Sequence, residues 1–228
     1  MSDADAQKRA AGEAAAALVE AGMTVGLGTG STAVWFVKAL AARALDIRCV
    51  STSVSTAELA RDLGMKLADL GEAREIDLTV DGADEIGPGL SLIKGAGGAL
   101  LREKLVWEAS RRCVTIADAS KRVPVLGQFP LPVEVVAFGH QTTSLRICDA
   151  LGECDIGAAP RLRVRDGQTY RTDSGNVIYD IACGRIEDPA ALGAAIKSVT
   201  GVVEHGLFLD LADLALIGTP DGVVSLEP

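Results

Sequence analysis

The chain has 228 residues and a formal net charge of −9, from 22 basic and 31 acidic side chains. Its hydrophobic share of 48% and charged share of 23% are those of a globular chain with a sizeable core, which excludes a disordered polymer. The acidic balance opposes nucleic acid and anionic membranes, although a local Lys or a helix N-terminus can still hold a small anion. No apolar run approaches the ~18 residues of a membrane span. The first nine residues lack the basic start and apolar centre of a signal peptide. Five scattered cysteines, Cys49, Cys113, Cys148, Cys154 and Cys183, form no C-x-x-C pair. Reduced, mostly buried thiols in a cytoplasmic protein are therefore expected, with neither a disulfide framework nor a zinc site. The 25 glycines and only 4% aromatics predict closely packed elements joined by many tight turns.

In chain order, the Ala-rich stretch Lys8 to Ala21 reads as a helix stopped by Gly22. Thr24 to Leu27 is a short apolar strand, followed by the loop 28–32. Ala33 to Leu45 is a helix, with Phe36, Val37, Leu40, Ala41 and Ala44 at 3–4 spacing. Ile47 to Val50 is the next strand and Ser55 to Leu63 the next helix, stopped by Gly64. Ile76 to Val80 is a buried strand, Leu90 to Ile93 a short one, Gly97 to Ser110 a helix and Cys113 to Ala117 a strand. Strands alternating with helices predict a mostly parallel sheet with helices on both faces, an α/β fold. Ligands of such sheets lie beyond the C-terminal ends of the strands. The loops 28–32, 51–55 and 81–85 fall at such ends, and a fourth, 94–98, closes the short segment Leu90 to Ile93.

The pattern changes after the Pro-rich joint Gln128-Phe129-Pro130-Leu131-Pro132. Val133 to Phe138 is a strand. Thr142 to Leu151 is a helix that Thr142 or Thr143 is placed to cap. Arg161 to Arg165 alternates with Leu162 and Val164 inward, and Asp166-Gly167 suits a type I′ hairpin. Val177 to Ala182 is a strand, and Pro189 to Ser198 a helix that starts with Pro. This β-α-β-β-α order predicts a small α+β domain. Val202 to Leu209, Leu214 to Ile217 and Val223 to Leu226 are late strands, some of them returning to the first sheet. The expected division is a main domain of residues 1–128 and 205–228 with a smaller domain of residues 129–204.

Four segments carry chemistry. Gly26-Leu27-Gly28-Thr29-Gly30-Ser31-Thr32 misses the G-x-G-x-x-G fingerprint, because Ser31 stands where Gly is needed, and no Lys precedes the Ser-Thr pair as in a Walker loop. It is either an anion- or polyol-binding strand–loop–helix turn or a plain tight turn capped by Ser or Thr. Asp81-Gly82-Ala83-Asp84-Glu85 places three carboxylates at a strand end. They serve acid–base work or form a solvated acidic turn. Lys94-Gly95-Ala96-Gly97-Gly98 precedes a helix bearing Arg102, Glu103 and Lys104, and its Lys is a candidate clamp for an anion or oxyanion. Glu103 shares a stripe with Ala99, Leu100, Val106 and Leu105, a setting suited to a general base, the alternative being an i, i+4 ion pair. In Asp118-Ala119-Ser120-Lys121 the Lys is again at a strand end, or else simply an exposed loop residue. His205, between Val203 and Leu207, reads as structural, and no Ser-His-Asp or Cys-His set is evident.

These segments, with Thr172-Asp173-Ser174-Gly175-Asn176 and Gly201-Val202-Val203-Glu204-His205-Gly206-Leu207-Phe208, resemble the type A ribose-5-phosphate isomerases. The resemblance runs in order from about Lys8 past Ile217. It implies a Rossmann-like main domain with a smaller α+β, ferredoxin-like domain. It also implies a cytoplasmic aldose–ketose isomerase of the pentose phosphate pathway, acting on a small phosphorylated sugar without cofactor or metal, as a homodimer or tetramer. By position, Glu103 is the implied general base, Asp81 and Asp84 the carboxylates for ring opening and hydroxyl protons, and Lys94 the charge that stabilises the enediolate. Thr29, Gly30, Ser31, Thr32, Gly82, Ala83, Gly95, Ala96, Gly97 and Lys121 are the implied substrate contacts. Three positions depart from the family pattern: Ala96 where Gly is usual, Leu101 where Thr is common and Ser174 where Asn is common. Ala96 is costly only if its backbone needs φ > 0. Two other readings of the same sheet are weighed: a sugar-phosphate-binding regulatory domain, which would need a basic DNA-binding module that is not seen, and a CoA-transferase-like enzyme, which would need a nucleophilic Glu and a cleft for a long cofactor and is opposed by the Asp81-Gly82-Ala83-Asp84 and Lys94-Gly95-Ala96-Gly97 pair.

Overall fold

The computed structural model describes residues 2–73 and 75–228; Met1 and Arg74 lie outside the described residues. The elements begin with α1 (Asp3–Ala16), β1 (Thr24–Leu27), α2 (Ala33–Ala42), β2 (Arg48–Ser51), α3 (Val54–Asp62), β3 (Leu78–Gly82), β4 (Glu85–Ile86) and β5 (Leu92–Ile93). They continue with α4 (Leu100–Glu108), β6 (Cys113–Asp118), β7 (Leu131–Val135), α5 (His140–Glu153), β8 (Arg161–Leu162), β9 (Val164–Arg165) and β10 (Gln168–Thr169). The last are β11 (Val177–Ile181), α6 (Pro189–Lys197), β12 (Val202–His205), β13 (Leu207–Phe208), β14 (Leu214–Thr219) and β15 (Gly222–Leu226). The chain divides into two compact units. One holds the residues up to Ala83, Arg102–Arg122 and those from Asp210 onward; the other holds Asp84–Leu101 and Val123–Leu209.

The first unit is built on a six-stranded sheet in the order β15-β14-β6-β3-β1-β2. All its pairs are parallel except β14–β15. Every residue of β1 and β6 is buried, the continuous burial of a parallel sheet covered on both faces rather than the alternation of a one-sided sheet. Val25, Leu27, Val80, Val114 and Ile116 form its core with Phe36, Val37 and Leu40 of α2 and the small face of α1, Ala11, Ala15 and Ala16. That Ala face is where the aromatic-poor composition becomes packing, since small side chains let two helices approach closely. α1 itself starts five residues earlier than the periodicity predicts, because the Ser2 side chain accepts the Asp5 N–H and caps it.

The second unit is centred on an antiparallel four-stranded sheet, β12-β7-β11-β8. Val133, Val135, Ile147, Leu151, Tyr179 and Ile196 meet in its core. Two expectations fail here. No Thr side chain caps α5. The helix starts at His140 behind Gly139, whose carbonyl takes the Thr142 and Thr143 N–H groups. Val164 faces out, 57% exposed, because the chain breaks pairing after Leu162 and restarts in the separate β9–β10 hairpin. The turn of that hairpin is as expected, with both Asp166 (φ 52°) and Gly167 (φ 76°) in the left-handed region a type I′ turn requires.

Residues 84–101, 123–128 and 205–209 group with the second unit, whereas the sequence reading places them in the first. Two contacts explain the difference. β5 pairs with β4 on one side and with β13 on the other. The buried Glu85 carboxylate accepts the N–H of Gly127 at 2.7 Å and of Phe129 at 2.5 Å, so it holds the Pro-rich joint. Replacing Glu85 with Ala leaves two N–H groups of that joint without their acceptor. We expect a loss on the order of 3 kcal/mol in urea unfolding. A loss below ~0.5 kcal/mol would show that the joint is held by something else.

Cys49 and Cys113 are buried, and Cys148, Cys154 and Cys183 are partly so. Burial pushes the Cys49 thiol up to about 12 and the Cys183 thiol to about 11. Almost none of either is thiolate at pH 8. Native protein treated with iodoacetamide at that pH should carry no label on Cys49 or Cys183, while urea-unfolded protein labels at both; peptide mass mapping reads the outcome.

Candidate active site

In the first unit, β6, β3, β1 and β2 are parallel neighbours, so the loops leaving their C-terminal ends share one edge of the sheet. Those loops hold Ala119–Lys121, Gly82, residues 28–32 and residues 52–53. The sheet order thus gathers Thr29, Gly30, Ser31, Thr32, Asp81, Gly82 and Lys121 along that edge.

Asp81 is the penultimate residue of β3 and is fully buried. Its Oδ1 accepts the Thr29 N–H at 2.9 Å and the Gly82 N–H at 2.7 Å. A Cβ on Gly28 would stand 2.2 Å from this Oδ1 and 2.5 Å from the Asp81 Cα, so the position accommodates glycine alone. The Thr29 hydroxyl meets those of Thr52 and Ser53, each at 2.8 Å, and of Thr56 at 3.2 Å. Thr52 and Thr56 also donate to the carbonyls of Leu27 and Gly28. This hydroxyl cluster was not assigned from the sequence. Its signal was the run Ser51-Thr52-Ser53-Val54-Ser55-Thr56 directly after a strand.

The turn 28–32 is not a hydroxyl-capped one. Thr32 stands at the start of α2 in a helical conformation and makes no side-chain cap. Ser31 is exposed and Gly30 has φ 113°. Lys121 ends a short turn that Asp118 caps by accepting the Ser120 N–H at 3.0 Å. Lys121 itself is half-buried, not the freely exposed loop lysine of the alternative reading.

α4 starts at Leu100, three residues later than the sequence reading, so Glu103 falls in its first turn. Glu103 is 3% exposed. Its i±3 and i±4 neighbours are Ala99, Leu100, Val106 and Trp107, which leaves the helix-surface ion pair no basic partner at that spacing. Val106 anchors the helix against Val50 and Ile76.

The second unit carries the remaining predicted residues. Asp84 donates its N–H to the Ile93 carbonyl at 2.8 Å, and its Oδ2 accepts the Ala96 N–H at 2.9 Å. Lys94 is 2% exposed, with Nζ 5.4 Å from the centroid of the Phe208 ring and its N–H on the Gly206 carbonyl. The loop 95–98 turns on Gly95 (φ 113°) and Gly98 (φ 84°); Ala96 is not among the positive-φ residues, so the departure there is unstrained. The Thr172–Asn176 motif is structural, since the Thr172 hydroxyl and the Asn176 amide both bond the buried Glu134 carboxylate at 2.9 Å. Ser174 enters only through its backbone N–H, so its departure is tolerated too. His205 is also structural: Nδ1 accepts the Leu207 N–H at 3.3 Å.

A cavity of about 640 Å³ in the first unit is lined by Ser51, Ser53, Arg61, Asp69, Arg102 and Leu105, among others, and by none of the predicted site residues. Among the described residues, no group of three or more His, Cys, Asp or Glu side chains is placed to hold a metal ion, and no helix is long and apolar enough to cross a membrane.

Buried carboxylates, a buried lysine and a hydroxyl-lined helix start are the equipment of an enzyme that moves protons on a small polar substrate. The family model for ribose 5-phosphate isomerase A (phosphoriboisomerase A) matches residues 48–222. The ribose-5-phosphate isomerase A of Caulobacter vibrioides (strain NA1000 / CB15N) is 69% identical over 226 residues, 99% of each chain. The crystal structure of ribose 5-phosphate isomerase A from Neisseria gonorrhoeae superposes with a TM-score of 0.92 at 38% identity, covering 100% of this chain and 99% of that one. Ribose 5-phosphate isomerase from Plasmodium falciparum gives 0.92 at 37%, covering 98% and 99%. The chain belongs to the ribose 5-phosphate isomerase A family, aldose–ketose isomerases that interconvert ribose 5-phosphate and ribulose 5-phosphate. The regulatory-domain and CoA-transferase readings fall away with that membership.

Gly28→Ala tests the dependence of the site on the close approach to Asp81. The added methyl must displace the Asp81 backbone, and a shift of about 1 Å at a reacting group costs on the order of 100-fold in rate. We expect kcat to fall by that order in a variant whose circular dichroism is unchanged; a fall under threefold would mean that Asp81 can be moved without consequence.

Proposed function

We propose that Glu103, Asp81, Asp84 and Lys94 carry the isomerisation, and that the substrate phosphate is taken by Ser31, Thr32, the start of α2 and Lys121. The observation that carries this reading is the burial of Glu103 in the first turn of a helix with only apolar neighbours at i±3 and i±4. Burial removes water from a carboxylate and so favours its taking up a proton.

The chemistry follows from charge. Asp81 and Asp84 exchange hydroxyl protons as the sugar ring opens to the free aldehyde. Glu103 takes the C2 proton, and the electron pair moves through C1 to leave negative charge on the C1 oxygen. The Lys94 ammonium stabilises that enediolate, where its charge matters more than in the ground state. The Asp81 and Asp84 carboxylates relay the O2 hydroxyl proton to O1, the O2 electron pair forms the C2 carbonyl, and the proton held on Glu103 returns to C1, giving the ketose. Thr29, Gly30, Gly82, Ala83, Gly95, Ala96 and Gly97 line the sugar. Two carboxylates repel a phosphate, so the phosphate end is assigned to Lys121 and the helix dipole rather than to the 81–84 segment. We further propose that the reaction needs no metal or cofactor, because base and cation are both side chains. The working form is taken to be a cytoplasmic homo-oligomer, as in the family pattern.

Glu103→Gln should lower kcat on ribose 5-phosphate by about 10²–10⁴-fold, as removal of a general base does. Solvent deuterium exchange at C2 should disappear in parallel, while sugar-phosphate binding by calorimetry persists. Near wild-type turnover in this variant would sink the assignment. Wild-type enzyme dialysed against EDTA should keep its rate, and a loss reversed by one divalent ion would overturn the metal-free reading.

A further inference from the structure

The second unit contains a feature that the reaction scheme does not use. Arg163, 12% exposed, lies 68 residues along the chain from Gly95. Its Nε donates to Asp180 Oδ2 at 2.9 Å and its Nη2 to Asp180 Oδ1 at 2.5 Å. This fork fixes the guanidinium plane and leaves Nη1 directed elsewhere. Nη1 donates to the carbonyl of Gly95 at 2.8 Å and to that of Ala96 at 3.2 Å. The Tyr170 hydroxyl donates to the next carbonyl, Gly97, at 3.2 Å. Three consecutive carbonyls of one loop are therefore held by two side chains. Tyr170 is itself fixed, because its N–H donates to the Arg163 carbonyl and its ring packs beside the Arg163 and Arg165 guanidinium groups. It also fills the space where a Cβ on Gly98 would stand, 2.2 Å from its hydroxyl oxygen.

The planar trans peptide gives this contact its reach. The carbonyl of Gly95 and the N–H of Ala96 are opposite ends of one rigid unit. Arg163 holds the first end, and the Asp84 carboxylate accepts from the second. Rotation of that unit breaks both bonds together. We propose that Arg163, oriented by Asp180 and assisted by Tyr170, is a positioning residue for the reaction: it sets the orientation of the Gly95–Ala96 peptide, and through it the Asp84 carboxylate and the backbone that follows Lys94. This rests on the assignment of Asp84 and Lys94 to the site.

The test combines kinetics with amide hydrogen exchange. Arg163→Met should lower kcat by about 10–100-fold, the cost of a misplaced reacting group, with KM for ribose 5-phosphate changed less than threefold. Exchange at residues 96–98 should speed at least tenfold, while protection in β7 and β11 is unchanged. Arg163→Lys keeps a cation beside Asp180 without the fork; it should recover the thermal midpoint but not the rate, and it replaces the Met variant if that one does not fold. In an Asp84→Asn background the Arg163 substitution should cost less than threefold more, because two residues acting through one peptide are not additive. Wild-type kcat in both Arg163 variants, a fully additive loss with Asp84→Asn, or exchange rising evenly across the four-stranded sheet would each overturn the positioning role. Wild-type turnover in both Asp84→Asn and Lys94→Ala would overturn the site assignment instead, and the positioning role with it.

Discussion

The Thr29 N–H on the Asp81 carboxylate is the contact from which the strand-end edge of the first unit is built. It joins the end of β1 to the end of β3, neighbouring strands in register, and it requires the chain at Gly28 to pass within van der Waals contact of the Asp81 backbone. Parallel pairing alone brings strand ends to one edge, but it does not fix the loops that leave them. The shared carboxylate does so for Thr29 and Gly82, and the hydroxyls of Thr52, Ser53 and Thr56 extend the same restraint to the loop after β2. A carboxylate held by two backbone donors is oriented before any substrate arrives. Such preorganisation lets a fixed dipole act without reorganising during the reaction.

The three acidic side chains of Asp81-Gly82-Ala83-Asp84-Glu85 illustrate how like charges can crowd one stretch of an already acidic chain. Each is turned to a separate set of backbone donors: Asp81 to Thr29 and Gly82, Asp84 to Ala96, and Glu85 to Gly127 and Phe129. Each carboxylate accepts charge-assisted bonds from N–H groups that would otherwise lack a partner. That division of labour separates a purely architectural acid, Glu85, from its two neighbours, although all three look alike in the sequence.

What could be read from the sequence was what local spacing determines. β1 begins and ends as expected, most other elements fall within a few residues, and the strand-end loops share one edge of the first sheet. Helix starts were the weak point, because they depend on particular caps. Ser2 extends α1 backward, the positive φ of Gly95 and Gly98 delays α4 to Leu100, and Gly139 rather than a Thr begins α5. Contacts between residues far apart in the chain left no local mark. Glu85 on the Pro-rich joint, Glu134 under the Thr172–Asn176 turn and Arg163 on the loop after Lys94 span 42, 38 and 68 residues respectively. Periodicity carries no information at those separations. The roles proposed for Glu103 and Lys94 come from the resemblance to a known family, because spacing alone left them open.

The departure at Ala96 shows how such long-range contacts decide what a loop tolerates. A Gly-rich segment invites the expectation that every small residue in it serves the backbone conformation. Here the left-handed conformations fall on Gly95 and Gly98, and Ala96 between them is exposed, with no positive φ. What the loop demands of position 96 is its N–H for Asp84 and its carbonyl for Arg163, which any residue other than Pro supplies. At Gly98 the demand is reversed, because Tyr170 occupies the space of the missing side chain. The loop is therefore specified by where its peptide groups point and by what is packed against it, and its glycine content follows from those two constraints position by position.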